Sequence, residues 1–533
     1  MSRRSSGRPL GARNVVVIGG GIAGLATACL LTLDGHRVTV LEARDELGGR
    51  AGTWERDGFR FDTGPSWYLM PEVFEHFFRL MGTTAERELD LVPLEPAYRV
   101  YTEGADAPLD IRSGRSAATG LFESVEPGAG ELLDDYLDSA GDAYELAVTR
   151  FLYDTYETTA GLRDPALLRR LPQLAPLLTR SLASYIDTRF TDQRLRQVLG
   201  YPAVFLGGSP YGVPSLYHLM SHLDLDEGVL YPQGGLTTVI EAVERLARAA
   251  GVQIRTGADV VAIETTSPGR SGAVATGVRL ADGSIVAADL VVSTADLHHT
   301  ETALLPRALQ TYPETWWAKK TPSPGALLIM LGVRGGIPHL PHHTLLFTAD
   351  WRANFEAIFG EDAHIPDPAS IYICRPSATD PATAPADSEN LFILVPIPAD
   401  PALGHGGVDG DGDARVEAAA DRVIEQIAEW CGIPDLAERI VVRRTVAPGD
   451  FADDLHAWRG NSLGLAHTLG QSAVFRPRNA SKHVEGLFYA GASTLPGIGL
   501  PMCLISAELV LKRLRGDHTP GPLAEPIVAV PQP

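Results

Sequence analysis

Two hydrophobic periods alternate at the start of the chain. NVVVI, Asn14 to Ile18, is an unbroken apolar run of strand length, and GGGIAG follows it at once. Ile22, Ala26, Cys29, Leu30 and Leu33 then recur at helical spacing, Gly35 stops the run, and VTVLE makes a second strand ending in Glu42. The pattern predicts a βαβ unit. Near the other end, Gly486 to Ala507 is a run of 22 residues without Asp, Glu, Lys or Arg. A bilayer-crossing helix needs about 20 apolar residues, but Pro496, Gly497, Gly499 and Pro501 fall mid-span. The stretch therefore reads as strand (LFYAG, Leu487 to Gly491), Gly/Pro loop, and a helix over Leu504 to Leu514. GVQIRTGADVVAIE, Gly251 to Glu264, reads as two alternating strands. In PEVFEHFFRLMG, Val73, Phe74, Phe77, Phe78 and Met81 share one broad helix face, as core packing requires.

Composition narrows the class. At 533 residues the chain exceeds what one core serves, so two domains are expected, and 45% hydrophobic with 21% charged residues suits a globular enzyme. A net charge of -21 argues against nucleic acid, whose binding depends on Lys and Arg. Cys29, Cys374, Cys431 and Cys503 form no CxxC pair, which fits a reducing compartment and no disulfide framework. The basic, Gly/Ser-rich residues up to Asn14 read as a loose tail, because the apolar run after them is short for a signal peptide. GHGGVDGDGDAR, from Gly404, looks like a calcium loop only superficially, since Ala414 and Ala420 stand where a turn glycine and a bidentate glutamate are needed; it reads as a solvated loop. Residues 161 to 200 reverse the local charge, with seven Arg against three Asp among many leucines. A basic, apolar patch of this kind predicts membrane docking over 165 to 190, with an Arg-lined core helix as the competing reading. Trp316-Trp317 with Lys319-Lys320 is a second interfacial candidate.

The chemistry starts at Gly19-x-Gly21-x-x-Gly24. Gly19 permits the tight turn, Gly21 lets the backbone approach a pyrophosphate, and Gly24 brings helix and strand together. Glu42 lies where it can accept hydrogen bonds from adenosine ribose hydroxyls. NAD and FAD share this fingerprint. No GxSxG, HExxH or P-loop is present. His339, His342 and His343, in PHLPHH, read as a solvated turn and His298-His299 as structural, so no metal site is predicted. Asp296, His222, Arg476 and Arg478 are ionisable but none earns a catalytic role, and the proton acceptor stays unassigned.

After Glu42 comes ARDELGGRAGTW, with Gly48-Gly49 before Arg50. Here the chain resembles the flavoprotein family of amine oxidases, protoporphyrinogen oxidases and carotenoid desaturases. FDTGPSWYLMP (Phe61 to Pro71), YPQGG (Tyr231 to Gly235), STADLHHT (Ser293 to Thr300), QSAVFRPRNA (Gln471 to Ala480) and GASTLPGIGLPM (Gly491 to Met502) fall in the order seen in bacterial-type phytoene desaturases. The resemblance implies FAD as cofactor, with Glu42 and Ala43 at the adenosine, Gly49 and Arg50 at the phosphates and ribityl chain, and Gly64, Pro65 and Ser66 along the flavin. It also implies Val260 at the adenine, Gly491 and Ala492 on the pyrophosphate side, and Met502 at the flavin pyrimidine. The implied fold is α/β: a Rossmann-like FAD-binding domain assembled from discontinuous segments (14–80, 230–300, 481–515), with an α+β substrate domain. Residues 81–229 would form its helical, membrane-associating region and 301–480 its sheet part.

The implied reaction is desaturation of phytoene or a related linear carotene, by hydride transfer to flavin N5 and proton loss. At about 0.8 kcal/mol per buried CH₂, such a hydrocarbon must be drawn from the bilayer. The expected setting is cytoplasmic and peripheral on the membrane, with a quinone or oxygen as electron acceptor. A carotenoid isomerase, a later-pathway desaturase or ketolase, a non-catalytic isoprenoid carrier and a soluble amine oxidase are the competing readings.

Overall fold

Five parallel strands form the first sheet, in the order Leu487–Tyr489, Leu290–Ser293, Asn14–Ile18, Arg37–Leu41, Gln253–Arg255. They are seen in a computed structural model that describes residues 11–158, 174–266 and 272–527. Asn14–Ile18 is central, and Val15, Val16, Val17 and Ile18 are all buried, which is why its sequence is continuous rather than alternating. The helix Ile22–Leu33 buries every residue from Ile22 to Leu31, because the helices Thr237–Ala250 and Leu500–Arg515 also pack on it. The sheet thus draws strands from both ends of the chain and from its middle.

The charge-free stretch divides into strand, loop and helix, and no described helix is long and apolar enough to cross a membrane. The helix begins at Leu500, earlier than its spacing suggested. Pro501 lies in the first turn, where a missing N–H breaks no intrahelical bond. Gln253–Arg255 and Val260–Thr265 are both strands, but they serve different sheets: the first edges the parallel sheet, and the second pairs with Ala273–Leu280 in a smaller, four-stranded one. Helix Pro71–Leu80 buries Val73, Phe74, Phe77 and Phe78 as expected, and Met81 caps it.

The largest sheet has seven strands, in the order Ile440–Val446, Gly325–Arg334, Ser388–Ile397, Ile371–Cys374, His343–Phe347, Tyr98–Thr102, Leu109–Ile111. All neighbours are antiparallel except His343–Phe347 beside Tyr98–Thr102. Along Gly325–Arg334 the side chains alternate between two cores. Leu327, Ile329 and Leu331 pack with helix Ala414–Trp430, while Ala326, Leu328 and Met330 join a second core with the helices Arg115–Val125, Ala129–Arg150, Leu182–Asp187 and Gln193–Gly200.

Three local expectations change. His342 and His343 are 3% and 0% exposed, because His343 opens a strand inside the seven-stranded sheet; only His339 of that cluster is exposed. Trp317 is core, at 1% exposure, and Trp316 alone lies near the surface, with Lys320 Nζ 4.5 Å above its ring. In the basic stretch, residues 159–173 lie outside the described residues; beyond them Leu177 and Leu182 are buried and Leu178 is exposed.

Candidate active site

Gly19, Glu42, Thr294 and Gly491 each lie just beyond the carboxyl end of a strand of the parallel sheet, and all four line one cavity of about 790 Å³. That edge is where open α/β sheets bind ligands. Leu328, Leu345, Tyr372 and Leu394 of the seven-stranded sheet line it too, so the cavity runs between the sheets. The residues singled out from sequence converge here: Gly19, Gly21, Glu42, Ala43, Gly49, Arg50, Gly64, Pro65, Ser66, Val260, Gly491, Ala492 and Met502 all line it.

Gly24 does not, and its role is packing. A Cβ there would come 2.0 Å from Gly19 O and 2.9 Å from Thr294 Oγ1, so only glycine lets the helix sit this close to the strand. The two glycine motifs are joined: Gly48 N–H donates to Gly20 O (3.0 Å), and Gly21 bridges Gly48 as in a parallel ladder. Glu42, 8% exposed, accepts from the N–H groups of Gly20 (2.6 Å) and Arg44 (3.0 Å), and Arg44 Nη2 donates to Gly49 O (2.9 Å). These bonds tie the two glycine loops and the end of the strand Arg37–Leu41 into one backbone-lined wall.

Arg50 supplies what that wall lacks. Its Nε and Nη2 are buried with no partner among the described residues, an arrangement that favours an anionic group beside them. The helix Leu500–Arg515 also presents its N-terminus, with Leu500, Pro501, Met502 and Cys503 on the cavity. Its dipole adds partial positive charge.

The loop before that helix is held from behind by Arg476, for which the sequence offered no role. Arg476 is 2% exposed and has no carboxylate partner among the described residues; it donates to four carbonyls, those of Leu465 (3.0 Å), Gln471 (3.1 Å), Ala492 (2.5 Å) and Thr494 (3.0 Å). Burial pulls its pKa down to about 10, which leaves it charged at neutral pH. Asn479 Nδ2 donates to Leu495 O and Ser506 Oγ (both 3.0 Å), and Gly491 N–H donates to Ser506 Oγ (3.0 Å).

His467 is a further cavity residue the sequence did not mark. Ile498 N–H donates to its Nε2 (3.3 Å), so the proton sits on Nδ1 and is shared with Tyr217 Oη (2.6 Å), whose hydroxyl reaches Ser472 Oγ (3.0 Å). Burial keeps this imidazole neutral. Across the cavity, His299 stacks on His456 (4.0 Å between centroids), and burial, then His456, lowers its pKa to about 4. Asp296 caps the helix Leu297–Thr302 through the N–H groups of His298 (2.9 Å) and His299 (3.3 Å). His222 faces Asp226 and Glu227 (3.2 and 3.4 Å) rather than the cavity, and neither it nor Arg478 lines it. The remaining wall is apolar and aromatic, with Trp67, Phe205, Met220, Phe347, Trp351 and Phe355.

A family model described as flavin containing amine oxidoreductase matches residues 22–510. The chain belongs to that family. Within it, a carotenoid 3,4-desaturase of Haloarcula japonica is 40% identical over 508 residues, covering 95% of this chain and 99% of that one. A zeta-carotene-forming phytoene desaturase of Myxococcus xanthus is 35% identical over 526 residues, with 98% of each chain covered. The chain is therefore a carotenoid-desaturase-type member of the family and an FAD-dependent oxidoreductase. Its fold is shared with an oxidoreductase from Methanosarcina mazei (TM-score 0.59, 17% identity, 94% and 100% of the two chains) and with putrescine oxidase bound to putrescine (0.58, 16%, 95% and 98%).

Proposed function

We propose that the protein desaturates a linear carotene, phytoene first, within the cavity between its two larger sheets. The observation that carries this reading is the cavity's lining, with glycines and Arg50 where it meets the parallel sheet and apolar and aromatic side chains where it meets the seven-stranded one. The first side suits FAD. Gly19, Gly21, Glu42, Ala43, Gly49 and Arg50 would hold its adenosine, phosphates and ribityl chain, Val260 its adenine, Gly64, Pro65 and Ser66 its flavin, and Gly491, Ala492 and Met502 its far side, with Gly24 setting the packing beneath. Bound flavin supplies the two-electron acceptor. The protein's part is to hold a C–H bond of the polyene in reach, about 3–3.5 Å, and to keep water out. On this reading the FAD domain is built from 14–80, 230–300 and 481–515, the substrate domain is 81–229 with 301–480, and a quinone or oxygen reoxidises the cofactor.

The 40% identity to a carotenoid 3,4-desaturase favours a second reading, action on a later, already desaturated carotene. Anaerobic incubation of FAD-loaded protein with phytoene- or lycopene-loaded liposomes separates the two. Flavin bleaching with red-shifted polyene bands on phytoene supports the first reading, and the same response to lycopene alone supports the second. A changed carotene isomer without bleaching would indicate an isomerase, and silence on both carotenes would sink desaturation.

The substrate is drawn from the cytoplasmic face of a membrane on this reading. Leu178, Leu469, Val474 and Phe475 are exposed large apolar residues, and all four line the cavity, so its rim is where exposed hydrophobic surface gathers. Thr321, next to Lys319 and Lys320, is tied to this rim by both amide ends of Gln471 (2.8 and 2.9 Å), which brings lysines beside it. Docking thus shifts from 165–190 alone to a surface that includes 469–475. Val474→Asp with Phe475→Asp should abolish sedimentation with anionic liposomes; unchanged sedimentation would count against it.

A further inference from the structure

We propose that His342, His343 and Cys374 bind a thiophilic d¹⁰ metal ion, Zn(II) or Cu(I), behind the wall of the cavity. The three side chains meet because His343–Phe347 and Ile371–Cys374 are adjacent antiparallel strands whose register pairs His343 with Cys374. One ring nitrogen of each histidine and Cys374 Sγ all lie within 4.8 Å of one another, and all three residues are buried. Among the described residues this is the one such cluster of three.

A second observation points to a ligand. Nδ1 of His342 is bonded to Thr379 Oγ1 (2.8 Å) and Nδ1 of His343 to Tyr372 Oη (2.8 Å), whereas Nε2 of both rings is buried without a partner among the described residues. A ligating imidazole has this signature, with one nitrogen fixed by an oxygen and the other left with a free lone pair. An orphaned ring nitrogen in a core is otherwise costly, and here there are two.

The donor set selects the ion. Two imidazoles and one sulfur, with no carboxylate, suit a soft or borderline cation and not Mg²⁺ or Ca²⁺. On binding, Cys374 releases its thiol proton to solvent, a metal–sulfur bond forms, and both imidazoles stay neutral, giving Nε2 to the metal and keeping their proton on Nδ1. Bond lengths of about 2.0 Å to nitrogen and 2.3 Å to sulfur put bound donors roughly 3.5 Å apart, so binding draws together donors that lie within 4.8 Å of one another.

The site also reaches the cavity. With Nε2 of His343 ligated, Nδ1–H donates to Tyr372 Oη, whose own proton is left for Ser66 Oγ, 2.6 Å away, or for the Cys374 sulfur. Ser66 lines the cavity, so the metal would orient a hydrogen-bond chain that ends on the cavity wall, whatever carotene the enzyme takes.

The test uses the flavin-loaded protein, stripped with a chelator, exposed to Zn²⁺ in air or to Cu⁺ without oxygen, and desalted. We expect about one metal per chain in at least one arm, and an X-ray absorption spectrum with one sulfur at about 2.3 Å and nitrogens at about 2.0 Å. Which arm retains metal identifies the ion. Cys374→Ser should weaken retention at least about tenfold at unchanged flavin content, whereas Cys431→Ser, a buried cysteine outside the cluster, should not. Wild-type protein retaining no more metal than Cys374→Ser, or a bound metal without sulfur, overturns the proposal. The wild-type spectrum decides even if Cys374→Ser fails to fold.

Discussion

Two strand–loop–helix units flank the strand Leu290–Ser293 in the parallel sheet, and they are built by opposite means. The first, Asn14–Ile18 into Ile22–Leu33, closes backbone on backbone: Gly24 packs on Gly19 O, and Gly48 N–H donates to Gly20 O. The second, Leu487–Tyr489 into Leu500–Arg515, is braced by buried polar side chains, Arg476 and Asn479 from outside the unit and Ser506 from its own helix, which supply donors and acceptors to loop residues 12 to 18 positions away. A turn can be stabilised by omitting side chains so that backbone closes on backbone, or by burying a polar side chain that replaces the missing backbone partners. The first device writes a short motif. The second leaves only an arginine with no local signature.

The largest effect should therefore come from the outside brace. Arg476→Leu strips four buried carbonyls of their donor and should cost about 3–5 kcal/mol in denaturant unfolding, with Arg476→Lys recovering part of it. An unchanged midpoint would show that the loop does not depend on it. Next is Gly24→Ala, whose Cβ meets a backbone oxygen that cannot move aside; a loss of about 1–3 kcal/mol with weaker FAD retention is expected, and normal stability would break the packing argument.

Arg50→Gln sharpens the contrast, because Arg50 and Arg476 are both buried arginines and only one is satisfied by protein. FAD affinity should fall about tenfold, near 1.4 kcal/mol, while the flavin-free protein keeps its stability within about 0.5 kcal/mol. A destabilised apoprotein would mean that Arg50 is a brace as well.

A last effect, read as a slope in pH, lies under the apolar wall. Asp224 is buried, and burial raises its pKa from 3.8 to about 7 although the hydroxyls of Tyr98 and Tyr201 donate to Oδ2 (2.8 and 3.0 Å). Folded protein then keeps a proton that the unfolded chain releases above pH 3.8, so this group's contribution to stability declines as pH rises towards about 7. Asp224→Asn should flatten that decline. The wild-type minus variant difference should change by up to about 1.4 kcal/mol per pH unit between pH 4 and 7, and a constant difference in urea melts would refute it.

The same contrast explains what could be read early. Gly19, Gly21 and Gly24 between a strand and a helix, followed by Glu42, Gly49 and Arg50, specify a dinucleotide cradle because each acts on backbone within a few dozen residues. His342 and His343 misled, since PHLPHH looks like a polar turn until its strand is placed inside a seven-stranded sheet. His467 and Arg476 stayed silent because their bonds to Ile498, Ala492 and Thr494 depend on how irregular loops fold, which no hydrophobic period or glycine spacing marks.

What the sequence by itself determined is the cofactor fold: hydrophobic period, glycine placement and charge-free runs act locally, and they commit the chain to its parallel sheet and glycine loops. Only the tertiary structure decided how segments from both larger sheets close one cavity, which buried polar groups brace it, and where its apolar rim opens. Those depend on contacts between separate elements, some a short loop apart and some far apart along the chain, and the free energy of such contacts leaves no period in the chain.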